Sequence, residues 1–170
     1  MLFRSLWAVL LWLSILAKRR ISVLDLAHEH WATYGRNYYT RHDFEEVDLN
    51  AANDLMAGLH AQFKTLPGTG FGPLKVIGAD DFEYHDPVDH SDTKGQGVRI
   101  LFEGGSRIVY RLSGTGTVGA TLRVYIERYE PASGNLGMDA QTALADLIAL
   151  SRSLAEIEKR TGRKEPSVVT

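Results

Sequence analysis

The chain has 170 residues, enough to bury one or two small cores, and its 44% hydrophobic and 24% charged residues are the balance of a folded globular protein rather than a disordered or fibrous one. A formal net charge of -2 gives no bulk pull toward nucleic acid, and the absence of cysteine excludes disulfides and thiolate chemistry, in keeping with a reducing, cytoplasmic setting. No solenoid-period repeat and no low-complexity tract stands out.

Residues 6–17 (LWAVLLWLSILA) form a charge-free run of twelve, preceded by Arg4 and followed by Lys18, Arg19 and Arg20. A bilayer takes about 20 apolar residues, and no small-residue cleavage site follows, so neither a span nor a secretory leader is expected. Trp7 and Trp12 suit a helix buried in a larger core. The opening residues carry no capping signal, so the helix reads as starting in the middle of a longer chain.

Ser22 followed by Asp25 makes a capping-box-like start, with Val23, Leu26, Ala27, His30 and Tyr34 on one helical face and Gly35 as the stop. Residues 36–47 (RNYYTRHDFEEV) read as a strand. A second helix is predicted over 50–66, with Leu55, Met56, Leu59, Phe63 and Leu66 on one face and Pro67-Gly68 ending it. From 74 to 130 the period changes to two, with strands at 74–77, 98–102, 107–112 and 120–126, and a tight hairpin turn at 103–106. Asp139 caps a last helix whose apolar face is Leu144, Leu147, Ile148, Leu154 and Ile157, closed by Gly162. The fold class is therefore α+β, an antiparallel sheet with packed helices over 47–170, preceded at 1–46 by a helical remnant of another domain.

The informative segment is Arg111-Leu-Ser-Gly-Thr-Gly-Thr-Val-Gly-Ala-Thr-Leu-Arg123. Gly114-x-Gly116-x-x-Gly119 formally matches a dinucleotide fingerprint, and Gly114-x4-Gly119 matches a Walker loop without its lysine. Both motifs need a helix directly after the glycines. Here Leu122, Val124 and Ile126 alternate with Arg123, Tyr125 and Glu127, which is strand periodicity, so both nucleotide readings fail. A Ser/Gly/Thr turn between two strands instead presents backbone N–H groups as an anion nest. Ser113, Thr115 and Thr117 add hydroxyl donors, and Arg111 and Arg123 flank the turn with guanidinium forks suited to phosphate oxygens. Arg111 and Ser113, two apart, share one side of an extended chain. A plain hairpin turn with two surface arginines fits the same spacing.

Other chemistry-bearing residues carry less. His28 and His30 are two apart on a helix, on different faces, which is poor metal geometry. Asp80, Asp81, Glu83, Asp86, Asp89 and Asp92 lack EF-hand spacing and read as a solvated acidic loop. Arg36 and Arg41 are expected in ion pairs rather than against substrate.

Taken together, Arg111-Leu-Ser-Gly-Thr-Gly, Gly119-Ala-Thr-Leu-Arg123 and Tyr125-Ile-Glu resemble the phosphate-binding loop in the C-terminal domain of phosphoglucomutases, members of the alpha-D-phosphohexomutase superfamily. Leu6-Trp-Ala-Val, Trp12-Leu-Ser-Ile-Leu-Ala17, His30-Trp-Ala-Thr-Tyr-Gly-Arg-Asn37, Tyr84-His-Asp-Pro-Val-Asp89, Gly105-Ser-Arg-Ile-Val109 and Arg160-Thr-Gly-Arg163 resemble the same family. The resemblance implies an enzyme that interconverts glucose 1-phosphate and glucose 6-phosphate through a phosphoserine, with Mg2+ and a glucose 1,6-bisphosphate intermediate. It assigns Arg111, Ser113, Gly114, Thr115, Thr117 and Arg123 to the phosphate that is not transferred. The family's serine motif, metal loop and sugar loop are not in this sequence. The resemblance thus places catalysis and Mg2+ in missing N-terminal domains of the same enzyme, and implies an inactive fragment that takes a hexose phosphate but no nucleic acid or membrane. Where the family has Lys-Asp-Gly before Leu6-Trp-Ala-Val, this chain has Phe3-Arg4-Ser5. His90 stands where glycine is usual and Gly95 where asparagine is, which opens the conformation of that loop to question. A non-catalytic phosphosugar-binding module is the alternative, and a chain anchored in a membrane through residues 6–17 is a third.

Overall fold

The computed structural model describes residues 4–113 and 119–170. They fall into two compact units: residues 1–36 with 130–137, and residues 37–129 with 138–170.

In the first unit the apolar run forms helix α1 (Arg4–Arg19), followed by α2 (Val23–Tyr34). The cap forms as the sequence implies: the backbone N–H of Asp25 donates to Ser22 Oγ at 3.0 Å, and the N–H of Gly35 closes on the Trp31 carbonyl. Arg19 and Glu29 tie the helices together at 2.6 Å. Arg36 donates to the Leu136 carbonyl at 2.6 Å and lies over the Trp31 ring, 4.2 Å from its centroid. Burial is low here. Leu6, Trp7, Val9, Leu10, Leu11, Trp12 and Leu13 are all exposed, Trp7 at 75%, and α2 buries none of its residues. The helices follow from local propensity, whereas burying them needs a partner surface that the described residues of this unit do not supply.

The second unit is a seven-stranded sheet with helices against one face. Its strands are β1 (Arg36–Val47), β2 (Gly70–Phe71), β3 (Leu74–Asp81), β6 (Val98–Phe102), β7 (Arg107–Ser113), β8 (Ala120–Glu130) and β9 (Val168–Val169), in the spatial order β2-β3-β6-β7-β8-β1-β9. A separate ribbon pairs β4 (Tyr84–His85) with β5 (Asp92–Thr93). Every pair whose register is described is antiparallel. Period-two alternation sends Tyr38 and Phe44 of β1, Val98, Ile100 and Phe102 of β6, Ile108 and Tyr110 of β7, and Leu122, Val124 and Ile126 of β8 to one buried face. Leu55 and Leu59 of α3 (Leu49–Ala61) and Leu147 of α5 (Ala145–Leu154) complete that core.

Two element boundaries differ from the sequence reading. The helix expected over 50–66 is capped by Asp48 and ends at Ala61, the chain continuing as turns to Leu66. The single last helix is three: α4 (Ala140–Ala143) capped by Asp139, α5, and α6 (Ile157–Thr161), with a kink at Leu144 and a left-handed Glu156 (φ 48°) between them. Leu144, Ala155 and Ile157 are all at or below 2% exposure, so the breaks let the apolar stripe follow a twisted sheet that one straight helix would leave.

Candidate functional site

The face of the sheet opposite the helices carries the candidate site. On β7 and β8 the register pairs Ser113 with Thr121, Leu112 with Leu122 and Arg111 with Arg123. Leu122 is buried, so its neighbours Arg111 and Arg123 lie opposite each other on the open face, at the mouth of the hairpin. Ser113 shares the parity of Arg111. Gly114, Thr115 and Thr117 lie outside the described residues. The structure therefore brings together three of the six sequence-derived site residues, Arg111, Ser113 and Arg123.

Two glycines set the hairpin against its neighbours. Gly119 has φ +72°, and a Cβ there would sit 2.7 Å from the Val47 carbonyl at the end of β1. Gly97 has φ +141°, and a Cβ there would meet the Arg111 side chain at 2.6 Å and the Tyr110 carbonyl at 2.8 Å. The Arg111 stem thus lies on bare backbone, and its Nη2 donates to Gln96 Oε1 at 3.4 Å. Beside it runs a groove of ≈ 520 Å³ that Arg111 lines together with Tyr39, Phe82, Gln96, Arg99 and Tyr125. Both other cations lining the groove are already matched. Arg99 forks onto Asp80 at 2.7 and 2.8 Å, and Arg107 pairs with Glu127.

Arg123 is held from the other side. Residues 37, 39, 41 and 43 of β1 alternate onto the open face, which brings Asp43 within 3.6 Å of Arg123 Nε and 2.9 Å of Arg41 Nε. Asp43 was not a sequence candidate; only the parity of β1 hints at its face, and its partner on β8 is a matter of strand pairing. Arg41 is in an ion pair, as expected from sequence, and Arg36 is engaged within the first unit. Arg128, five residues beyond Arg123, has the opposite parity. It reaches the helix side, donating to the Ala143 carbonyl at 2.7 Å and forking onto Asp146.

The carboxylates of the acidic stretch are engaged within the protein, some locally and some by other elements. Asp81 pairs with His60, Asp92 with His85, and Asp86 and Asp89 accept from backbone N–H groups of the same turn. The Ser91 hydrogen bonds hold the Asp89 carboxyl below its usual range. His90 (φ 60°) and Gly95 (φ 64°) are both left-handed, the region that glycine and asparagine enter most readily. Among the described residues no three His, Asp or Glu side chains converge on a point where a metal ion fits, and no helix is long and apolar enough to cross a membrane.

Comparison with known proteins agrees in one direction. A family model described as the phosphoglucomutase-1 C-terminal domain matches residues 36–167. A phosphoglucomutase of Rhizobium radiobacter is 62% identical over 98% of this chain, and a cytoplasmic phosphoglucomutase of Populus tremula 49% identical over the same share. The crystal structure of the open form of pp63/parafusin from Paramecium superposes with a TM-score of 0.85 at 43% identity, covering 97% of this chain and 29% of that one. The chain spans about 31% of the length of the curated relatives it matches.

Proposed function

The chain belongs to the phosphoglucomutase family, as a C-terminal portion, and from that premise we propose that it supplies the grip on the phosphate that is not transferred. Arg111 and Arg123 provide charge-assisted forks, Ser113 a hydroxyl, and Gly114, Thr115 and Thr117 the backbone and hydroxyl donors of the turn between them. The observation that carries this reading is the direct cross-strand opposition of Arg111 and Arg123 at the mouth of a Ser/Gly/Thr hairpin. Two like charges face to face on an antiparallel pair repel, and an anion between them turns that cost into attraction.

In the whole enzyme the partner is a hexose phosphate, interconverted between glucose 1-phosphate and glucose 6-phosphate by way of glucose 1,6-bisphosphate. Holding the distant phosphate is binding energy used to orient the reacting end. Mg2+ would supply charge neutralisation at the transferred phosphate. The residues described here offer it no cage, so we assign it to the missing N-terminal domains. We place the phosphate-grip domain at 47–170 and the remnant of the preceding domain at 1–46. A cytoplasmic location is proposed on the names of relatives such as that of Populus tremula.

The test is a titration of the chain with glucose 6-phosphate while backbone amide shifts are followed. One charge-assisted hydrogen bond contributes roughly 1.5–3 kcal/mol, so a single clamp should bind near the millimolar range and weaken with salt. Amides of residues 113–119 should move, and Arg111→Ala and Arg123→Ala should each abolish detectable binding. Lys75→Ala, which removes an exposed cation paired to Glu103, should not. Still amides, or an equal loss in Lys75→Ala, would overturn the assignment.

A further inference from the structure

Asp43 is a carboxylate at 4% exposure on the otherwise open face of the sheet, and its own strand offers it one cation, Arg41, for two oxygens. Its backbone is fixed: the carbonyl accepts from the Ser167 N–H at 2.7 Å and residue 43 pairs with Val168. Its two oxygens divide between two cations, Oδ1 toward Arg41 and Oδ2 toward Arg123. Neither contact is a hydrogen bond, the first for want of alignment and the second because 3.6 Å is too long, and Arg41 Nε, Arg123 Nε and Asp43 Oδ1 are all sealed from solvent. Arg123 nevertheless keeps 41% of its side-chain surface accessible, so its inner nitrogen is turned toward Asp43 while other parts of the side chain remain accessible.

We propose that Asp43 is a positioning residue, which orients Arg123 for an anionic oxygen at the hairpin mouth; the proposal rests on the phosphate-grip reading. A free arginine carries rotamer entropy, which binding must remove. An Asp43 carboxylate beneath it removes part of that freedom in advance. Arg41 offsets the carboxylate's charge, so the Arg41–Asp43–Arg123 row keeps a net positive charge toward the ligand. Arg111 is oriented differently, by the bare backbone of Gly97 and the neutral Gln96.

Asp43→Asn separates orientation from electrostatics because the two predict opposite signs. It keeps the shape and removes one negative charge near the clamp, so charge alone would tighten binding of an anion. Positioning predicts that the Kd of the 170-residue chain for glucose 6-phosphate rises about fivefold, within one decade of affinity. It also predicts that the Nε–Hε order of Arg123, measured by side-chain nitrogen relaxation, falls while that of Arg111 is unchanged. Equal or tighter binding, or an Arg123 as ordered as before, would overturn the proposal, as would an equal loss of order at Arg111, which marks general loosening. If the unaltered chain binds no glucose 6-phosphate, the phosphate-grip reading fails, while the Arg123 relaxation still decides whether Asp43 orders it. Should Asp43→Asn not fold, Asp43→Ser carries the same comparison.

Discussion

Gly119 and His42 show how single residues on strand β1 and beside it set the terms for the hairpin and the sheet. At Gly119 a methyl group would meet the Val47 carbonyl at 2.7 Å in a left-handed conformation. Gly119→Ala should cost about 1–3 kcal/mol in urea unfolding, and should shift the amides of the hairpin arms more than those of β3. His42 is 4% exposed, on the helix side of β1, with Nε2 3.3 Å from Gln141 Oε1. Burial pushes its imidazole below the usual 6.5, opposed by the Gln141 hydrogen bond; Arg152 lowers it further, and Glu165 and Asp43 raise it. A base whose folded pKa is depressed leaves the unfolded chain holding more protons just below 6.5. Stability from this residue is therefore complete above pH 6.5 and falls with decreasing pH until the folded value is passed. The slope is at most about 1.4 kcal/mol per pH unit for one proton. Urea midpoints of the unaltered chain should drop between pH 7 and 5.5, and His42→Gln should flatten that drop.

Two further polar contacts tie the helical layer to the sheet, beside the shared apolar core. The Tyr110 hydroxyl, fully buried, donates to the Ser151 carbonyl of α5 at 2.7 Å, and burial raises its pKa far beyond the usual range, so it stays a donor at any working pH. Ser151's carbonyl also receives the Ala155 N–H at 3.4 Å, so Tyr110→Phe leaves it a partner and should cost about 1 kcal/mol. Arg128 joins β8 to the ends of α4 and α5 through the Ala143 carbonyl and Asp146. Because the arginine is mostly covered and Asp146 is not, Arg128→Ala should destabilise by about 1–2 kcal/mol without changing the affinity for glucose 6-phosphate. Chemical unfolding and the same shift titration separate the two readouts. The broken last helix belongs to this scale too: Glu156 enters the left-handed region, and its carboxylate is held by Lys159 and Arg160, which lowers its pKa.

For the molecule as a whole, the uncovered apolar surface of α1 is the dominant feature of the first unit. Seven consecutive or near-consecutive large hydrophobics between Leu6 and Leu13 stand 48–75% exposed. Such a patch promotes association in water. Deleting residues 1–20 should shift sedimentation toward monomer and raise the solubility limit. A chain that instead fractionates with membranes, and is released by the deletion, would show α1 acting as an anchor. Mutase assays should find no interconversion of glucose 1-phosphate and glucose 6-phosphate by the chain alone, with or without Mg2+. Measurable turnover would show that the chain carries chemistry beyond a phosphate grip.

Most elements were legible because their signals are local. Period-two alternation marked β6, β7 and β8, and Ser22 and Asp139 announced their helices. What the sequence by itself determined was thus the identity of the longer elements and the face each residue takes within them, since both follow from backbone geometry within a few residues, whereas the short strands β2, β4, β5 and β9 exist only through their pairing. The tertiary structure decided what stands opposite what. The pairing of Arg111 with Arg123 depends on the β7–β8 register, and the meeting of Asp43 with Arg123 on β8 and β1 becoming neighbours across some 80 residues. The interruptions at Leu144 and Glu156 carry no glycine or proline signal, because they arise from fitting one apolar stripe to a twisted sheet. The bare face of α1 is the converse case: its helix is written in the residues, and its cover depends on surface from outside the stretch that forms it.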